Sequence, residues 1–120
     1  MQADRTCIAV LDACKFYPTA HFQYAIEQES ARNCRLFYTT GFFIASNYEV
    51  VKLMMKHASD NNYIFGFNFA SEGLYAESKE EILNILTYSD FIMCNIHEAL
   101  PCAQDFGVEL GLINGDDDKS

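Results

Sequence analysis

Positive charge is scarce in this chain of 120 residues: eight lysine and arginine side chains stand against seventeen aspartate and glutamate, for a net charge of −9. The imbalance lies in the second half, because residues 1–60 carry six basic and six acidic side chains and residues 61–120 carry two and eleven. A surface of this sign repels phosphate backbones, so we expect no nucleic-acid partner.

Long apolar runs and paired cysteines are also missing. No stretch reaches the roughly 18–20 continuous apolar residues of a membrane-spanning helix, so we expect no membrane partner. The five cysteines form no CxxC pair, which argues against a zinc site. Three of them (Cys7, Cys34 and Cys94) lie in or beside predicted strands, as buried thiols do. This usage predicts a reducing compartment, the cytoplasm, with the nucleus as the alternative.

What the chain does have is a regular alternation of two apolar patterns. Half of the residues are hydrophobic and the length suits one domain. Short apolar and β-branched runs predict strands, and stretches with helical spacing predict helices between them. The predicted strands are residues 5–11, 36–40, 63–69 and 90–94, and the predicted helices are residues 20–31, a stretch from 46 to 60, a stretch from 78, and residues 96–106.

This order predicts an α/β fold with a partial parallel sheet of about four strands and flanking helices. The domain would span residues 1–113, followed by a disordered acidic tail of residues 114–120. Near-continuous apolar runs such as YIFGF indicate strands covered on both faces. Two Ser-x-x-Glu sequences, beginning at Ser46 and Ser78, have the spacing of capping boxes and predict helix starts there.

The segment FIMCNIHEAL places Asn95 and Glu98 directly after a predicted strand, three residues apart at the start of a helix. In open parallel sheets, ligands bind beyond the carboxyl ends of the strands. An amide and a carboxylate there could hold the water shell of Mg²⁺ on a phosphate, or they could form only a capping box. His97, between them, is expected to be an exposed helix residue without a catalytic partner.

Four blocks of the sequence together resemble the adenosine kinases, within the ribokinase-like (PfkB) carbohydrate kinase family. The blocks are RTCIAVLDACKFY (5–17), LFYTTGFF (36–43), KHASDNNYIFGFNF (56–69) and YSDFIMCNIHEA (88–99). They occur in the family's order and cover about residues 5–110. The resemblance implies an internal fragment, a slice of the family's three-layer domain. The complete enzyme would transfer the γ-phosphoryl group of ATP to the 5′-hydroxyl of adenosine, giving AMP and ADP in purine salvage.

The resemblance also implies an adenosine pocket. Cys7, Ala9 and Leu11 would line it, although their alternation by itself indicates only that they share one face of a strand. Phe42 would pack on the adenine ring, since a flat ring against a flat ring is a favourable way to hold a purine.

At the phosphate end, the resemblance implies roles for Asn68, Asn95 and Glu98. Asn68 would lie near the phosphates, while Asn95 and Glu98 would organise Mg²⁺ and phosphate through water, with ATP as co-substrate. The sequence departs from the family at two points. Cys94 stands where a glycine is usual, and residues 69–72 (Phe-Ala-Ser-Glu) replace a Ser-Ala-Pro-like turn.

One family motif does not occur in the 120 residues. In the family, the sequence Gly-Ala-Gly-Asp supplies the phosphate cradle and the catalytic base. This sequence is missing here, so we expect no turnover by this chain alone. Two alternatives stay open. One is a non-catalytic module that binds a nucleoside or a partner protein, or associates with itself, through unpaired sheet edges. The other is another nucleoside or sugar kinase of the same superfamily.

Overall fold

The computed structural model describes residues 6–108 of the chain. The predicted tail, residues 114–120, lies outside this range. The elements, in chain order, are a single 3-10 turn (Ala13–Lys15), α1 (Thr19–Glu27), α2 (Glu29–Arg32), β1 (Leu36–Thr40), α3 (Phe42–Asp60), β2 (Ile64–Asn68), α4 (Leu74–Glu77), α5 (Lys79–Tyr88), β3 (Phe91–Met93) and α6 (Ile96–Asp105).

The three strands form one parallel sheet in the order β1-β2-β3. Tyr38 lies opposite Gly66, and Gly66 lies opposite Phe91, so these three residues share one row across the sheet. The prediction of an α/β fold with a parallel sheet and flanking helices is confirmed, with three strands in the described part of the chain.

The predicted first strand, residues 5–11, is wrong over the residues that the structure describes. Residues 6–11 are irregular and exposed, including the apolar Ile8 and Val10. A strand needs a neighbour that takes up its backbone hydrogen bonds. None of the three described strands pairs with this segment, so its alternating pattern does not become a sheet face.

Helices α3 and α5 pack on the same face of the sheet, which we call the covered face. Phe65 and Phe67 of β2 share one core with Val51 of α3 and with Ile82 and Ile85 of α5. All five side chains are at most 1% exposed. Removal of this apolar area from water is the main force that holds the helices to the sheet.

The opposite face of the sheet, which we call the open face, is not covered by any described element. Leu36 and Tyr38 of β1, Ile64 of β2 and Met93 of β3 lie on it and are 42–58% exposed. The prediction that the strands are covered on both faces is therefore wrong for residues 6–108, because α3 and α5 occupy the same side.

A break in α3 separates its first turn from the rest of the helix. Asn47 has a non-helical backbone (φ −165°, ψ 92°), and its side-chain oxygen accepts the N–H of Val50 at 3.3 Å. Asn47 is thus the N-cap of the longer part of α3. The capping box predicted at Ser46 is wrong by one residue, and Ser78 makes no side-chain capping bond.

The cysteines differ from the prediction as well. Cys7, Cys34 and Cys94 are exposed, and Cys102 is buried. The prediction that the first three are buried thiols is wrong, because they lie in an irregular segment or just outside strands whose ends are open to solvent. Within residues 6–108, no helix is both long enough and apolar enough to cross a membrane.

Candidate functional site

Two adjoining cavities lie at the carboxyl end of the sheet. The first, which we call the rim cleft, has a volume of about 600 Å³ and is lined by Tyr38, Thr40, Phe42, Asn68, Ala70, Ile92, Met93, Cys94, Asn95 and Glu98. The second, the apolar cavity, has a volume of about 1060 Å³ and is lined by Ala9, Leu11, Ala13, Cys14, Lys15, Phe16, Tyr17, Pro18, His21, Thr40, Phe42, Phe43, Ala45 and Ser46. Thr40 and Phe42 line both.

The structure brings together most of the site residues that the sequence indicated. Asn68, Asn95 and Glu98 line the rim cleft, and Ala9 and Leu11 line the apolar cavity. Phe42 borders both. Cys7 lines neither cavity and is exposed. The arrangement joins the rim cleft, which carries polar side chains, to the larger apolar cavity. A ligand with an aromatic end and a polar end would fit such a pair of compartments.

Gly41 sets the position of Phe42 at the junction of the two cavities. Its N–H donates to the carbonyl oxygen of Asn68 at 2.9 Å. A Cβ at Gly41 would overlap the side chain of Leu74 and would lie 2.9 Å from the carbonyl oxygen of Phe69. Glycine therefore allows the end of β1 to approach β2 closely, and the ring of Phe42 stays 60% exposed beyond the strand.

Asn47 fixes the wall of the apolar cavity. Its amide nitrogen donates to the carbonyl oxygen of Tyr17 at 2.8 Å and to the hydroxyl of Thr19 at 3.0 Å. The ring of Tyr17 also meets that of Phe43 edge-on, with centroids 5.3 Å apart. Sequence reasoning missed Asn47, although asparagine before a helical apolar stripe is itself a capping signal.

A row of hydrogen bonds crosses the floor of the rim cleft on the open face. The hydroxyl of Thr40 donates to Oδ1 of Asn68 at 2.9 Å, and Nδ2 of Asn68 donates to the hydroxyl of Tyr38 at 2.6 Å. Sequence reasoning identified Asn68 but missed Thr40 and Tyr38. Their two-residue spacing on one strand was the available signal, because it places both on the same face.

Asn95 and Glu98 form a capping box at the start of α6. The N–H of Glu98 donates to Oδ1 of Asn95 at 2.9 Å, and the N–H of Asn95 donates to Oε2 of Glu98 at 3.1 Å. The capping interpretation is thus confirmed, and a metal role would be additional to it. Partial desolvation of the Cys94 sulfur, and then the charge of Glu98, raise the pKa of the neighbouring Cys94 thiol, so the thiol stays protonated at neutral pH.

The donor set in the rim cleft limits which metal could bind there. Among residues 6–108 there is no group of three or more His, Cys, Asp and Glu side chains that could hold a metal ion by themselves. Mg²⁺ has a different requirement, since it keeps several waters and binds through one or two protein oxygens together with substrate phosphates. Glu98 retains Oε1 for such a hydrated ion, so the residues fit Mg²⁺ that arrives with phosphate.

The turn after β2 is unusual at the edge of the cleft. Ala70 has φ 64°, a left-handed conformation that residues with a Cβ rarely adopt. It lies within residues 69–72, where the sequence departs from the adenosine kinase pattern.

Comparison with known proteins shows that the chain is similar to one group of enzymes. No family model matches the chain. Adenosine kinase 2 and adenosine kinase 1 of Arabidopsis thaliana are each 27% identical to it over 106 residues. The match covers 88% of this chain and 31% of each relative, so the chain spans about a third of the length of the curated relatives that it matches.

Solved structures show the same likeness. Adenosine kinase from Schistosoma mansoni, in complex with adenosine and AMP, superposes with a TM-score of 0.62 at 25% identity, over 73% of this chain and 28% of that one. Adenosine kinase from Anopheles gambiae, in complex with P1,P4-di(adenosine-5) tetraphosphate, superposes with a TM-score of 0.64 at 22% identity, over 76% of this chain and 28% of that one. At this identity, the likeness shows only a shared fold. The chain is therefore similar to adenosine kinases in sequence and fold.

Proposed function

We propose that this chain forms the nucleoside-binding and phosphate-binding part of an adenosine kinase-like phosphotransferase, which transfers a phosphoryl group from ATP to adenosine. The observation that carries the proposal is the junction of the two cavities at Phe42. It puts an exposed aromatic ring between an apolar compartment and a polar one that holds Asn68, Asn95 and Glu98. The similarity to enzymes named for adenosine supports it.

The residues divide into two groups in this proposal. Ala9, Leu11 and Phe42 bind the adenine ring, while Asn68 and Asn95 bind the phosphate end. Glu98 holds a water of Mg²⁺, and the bound ion would neutralise charge on the transferred phosphoryl group. A cytoplasmic location fits purine salvage and is part of the proposal.

We infer that the 120 residues alone do not turn over adenosine. Phosphoryl transfer needs a cradle for the phosphates and a residue that orients or deprotonates the attacking hydroxyl. The Gly-Ala-Gly-Asp sequence does not occur in the chain, and His97 is exposed on α6. With ATP, Mg²⁺ and adenosine, the purified chain should form no AMP above background, and turnover that Asn95→Ala abolishes would contradict this.

Adenosine binding tests the aromatic role of Phe42. Removal of a stacked ring costs roughly 1–3 kcal/mol, so Phe42→Ala should weaken adenosine binding roughly 5- to 150-fold in calorimetric titration of the 120-residue chain. Tyr24→Ala is the matched control, because Tyr24 is similarly exposed and lines neither cavity. Equal affinities of Phe42→Ala and the wild type would contradict the assigned adenine site.

Glu98→Gln separates the metal role from the capping role. Glutamine keeps an oxygen that can accept the N–H of Asn95, but it loses the charge that holds a hydrated cation. We expect an unchanged melting temperature and a loss of the Mg²⁺ dependence of ADP binding. Glu80→Gln, an exposed carboxylate on α5, is the control. An unchanged Mg²⁺ dependence in Glu98→Gln would leave Asn95 and Glu98 as a helix cap alone.

The open face supports a second candidate, a non-catalytic module that binds a protein partner. Its exposed apolar side chains, together with the outer edges of β1 and β3, which no strand within residues 6–108 pairs, could hold another chain. With a second copy of the chain as the partner, this candidate predicts self-association that depends on concentration, without adenosine binding. Sedimentation of the chain with and without adenosine therefore discriminates the two candidates.

A further inference from the structure

Other side chains hold Asn68 at both polar atoms of its amide group. Among residues 6–108, this is true of no other predicted site residue. Oδ1 of Asn68 accepts the hydroxyl of Thr40 at 2.9 Å, and its Nδ2 donates to the hydroxyl of Tyr38 at 2.6 Å. An asparagine has two N–H donors and one carbonyl oxygen. The two neighbours therefore fix the amide plane and leave one N–H without a protein partner in this row.

Tyr38 is itself held in place, which makes it a suitable anchor. Its ring stacks on that of Phe91, with centroids 6.0 Å apart and planes 10° apart, in the row that they share with Gly66. Its hydroxyl faces Sδ of Met93 at 3.9 Å, which is a weak acceptor. The phenol is thus positioned by ring packing as well as by the bond from Asn68.

The surroundings of Asn68 favour an oxyanion over an uncharged group. The helix α6 begins in the same cleft, and the N-terminal end of a helix dipole attracts negative charge. Oδ1 of Asn95 is engaged in the capping box, so its amide N–H groups remain as further donors. A hydrated cation at Glu98 would offset the charge of that carboxylate.

We propose that Thr40 and Tyr38 are positioning residues, which orient the amide of Asn68 so that its remaining N–H donates to a phosphate oxygen of a bound nucleotide. This inference rests on the proposed function, because it places the phosphate end of the ligand in the rim cleft. It assigns to the site two residues that act through Asn68.

The first test is spectroscopic and needs no ligand. The side-chain amide resonances of Asn68 in the full ¹⁵N-labelled chain can be assigned by their loss in Asn68→Asp. Thr40→Val, which is nearly isosteric but lacks the hydroxyl, and Tyr38→Phe, which keeps the ring, should both shift them. Thr40→Ser should restore the wild-type positions. The amide of Asn84, which donates to Tyr48 at 2.8 Å elsewhere, should not move.

The second test compares AMP with adenosine, which differ only in the phosphate group. Tyr38→Phe should weaken AMP binding about five- to tenfold, the effect of one lost hydrogen bond, and should leave adenosine binding within about twofold, because Tyr38 lines the rim cleft and not the apolar cavity. Thr40→Val should weaken AMP binding by a similar factor. A merely structural role would weaken both ligands equally.

Three results would overturn the proposal. The first is unmoved Asn68 resonances in both variants, and the second is a Thr40→Ser chain that behaves like Thr40→Val. The third is an equal loss of AMP and adenosine affinity in Tyr38→Phe. A wild-type chain that binds neither ligand would overturn the proposed function and the phosphate role together. The amide resonances would then still support or refute the positioning of Asn68.

Discussion

The two faces of the sheet are held by different forces. On the covered face, Phe65 and Phe67 are 1% and 0% exposed and are fixed by packing against α3 and α5. On the open face, Tyr38 and Asn68 are fixed by one ring stack and a row of hydrogen bonds. The difference separates stability from binding of the phosphate end of a ligand: large changes in the free energy of unfolding belong to the covered face, and changes in affinity for a phosphate group belong to the open face.

Phe67→Ala should give the largest effect and establish this contrast. Truncation of a fully buried phenylalanine costs about 3–5 kcal/mol, which is much of the stability of a small domain. We therefore expect little folded protein by circular dichroism, or a strongly reduced urea midpoint. Leu36→Ala is the control on the open face, where the residue is 53% exposed, and should cost less than about 1 kcal/mol. Equal losses would show that the open face is also packed in solution.

Apart from the first strand and two helix caps, the sequence predicted the local elements well, but it predicted their packing poorly. β1 has its predicted ends, and β2 and β3 lie within their predicted ranges, because period and composition are local signals. Whether one or both faces of a strand are covered is not encoded in such local signals. It depends on where α3 and α5 lie, and apolar runs cannot distinguish a covered strand face from one that is apolar but open.

The candidate site was predictable only in part for the same reason. Asn95 and Glu98 form a local box, which their spacing indicates directly. The bond between Thr40 and Asn68 joins residues 28 positions apart and depends on the register of β1 with β2. Likewise, the choice of Asn47 over Ser46 as the cap depends on the carbonyl oxygen of Tyr17, thirty positions away.

Asn47→Ala tests the link between the helical layer and the apolar cavity. The change removes the cap of the longer part of α3 and two bonds to the N-terminal segment, so we expect a loss of about 1–2 kcal/mol in urea unfolding. Adenosine affinity should fall as well, because the cavity wall loses its tether. Asn84→Ala, which removes one exposed bond, should cost less than about 1 kcal/mol and leave adenosine binding unchanged. A loss of stability in Asn47→Ala with full adenosine affinity would show that the tether does not shape the cavity.

Tyr75 gives the covered side of the molecule a dependence on pH. Burial, and then its hydrogen bond to Asp105 at 3.0 Å, raise the pKa of Tyr75 to about 12. The folded chain therefore holds this proton more tightly than the unfolded chain, whose pKa is about 10. The contribution to stability is present below pH 10 and is lost as the pH rises towards 12. Melting temperatures from pH 8 to 12 should converge for the wild type and Tyr75→Phe, and parallel curves would contradict the raised pKa.

Gly66→Ala should have the smallest effect on stability and a specific effect on the open face. A Cβ at Gly66 would overlap the ring of Phe91, which must then move away from Tyr38. Because this face is open, the ring can move, and we expect a change of less than about 1 kcal/mol in unfolding. The loss of the stack should shift the Asn68 amide resonances and weaken AMP binding more than adenosine binding. Gly73→Ala is the matched control, since the nearest atom to its Cβ would be Oε1 of Glu77 at 3.9 Å. An unfolded Gly66→Ala chain would show that the row of Tyr38, Gly66 and Phe91 on the open face contributes strongly to stability. The division of stability and phosphate binding between the two faces would then be wrong.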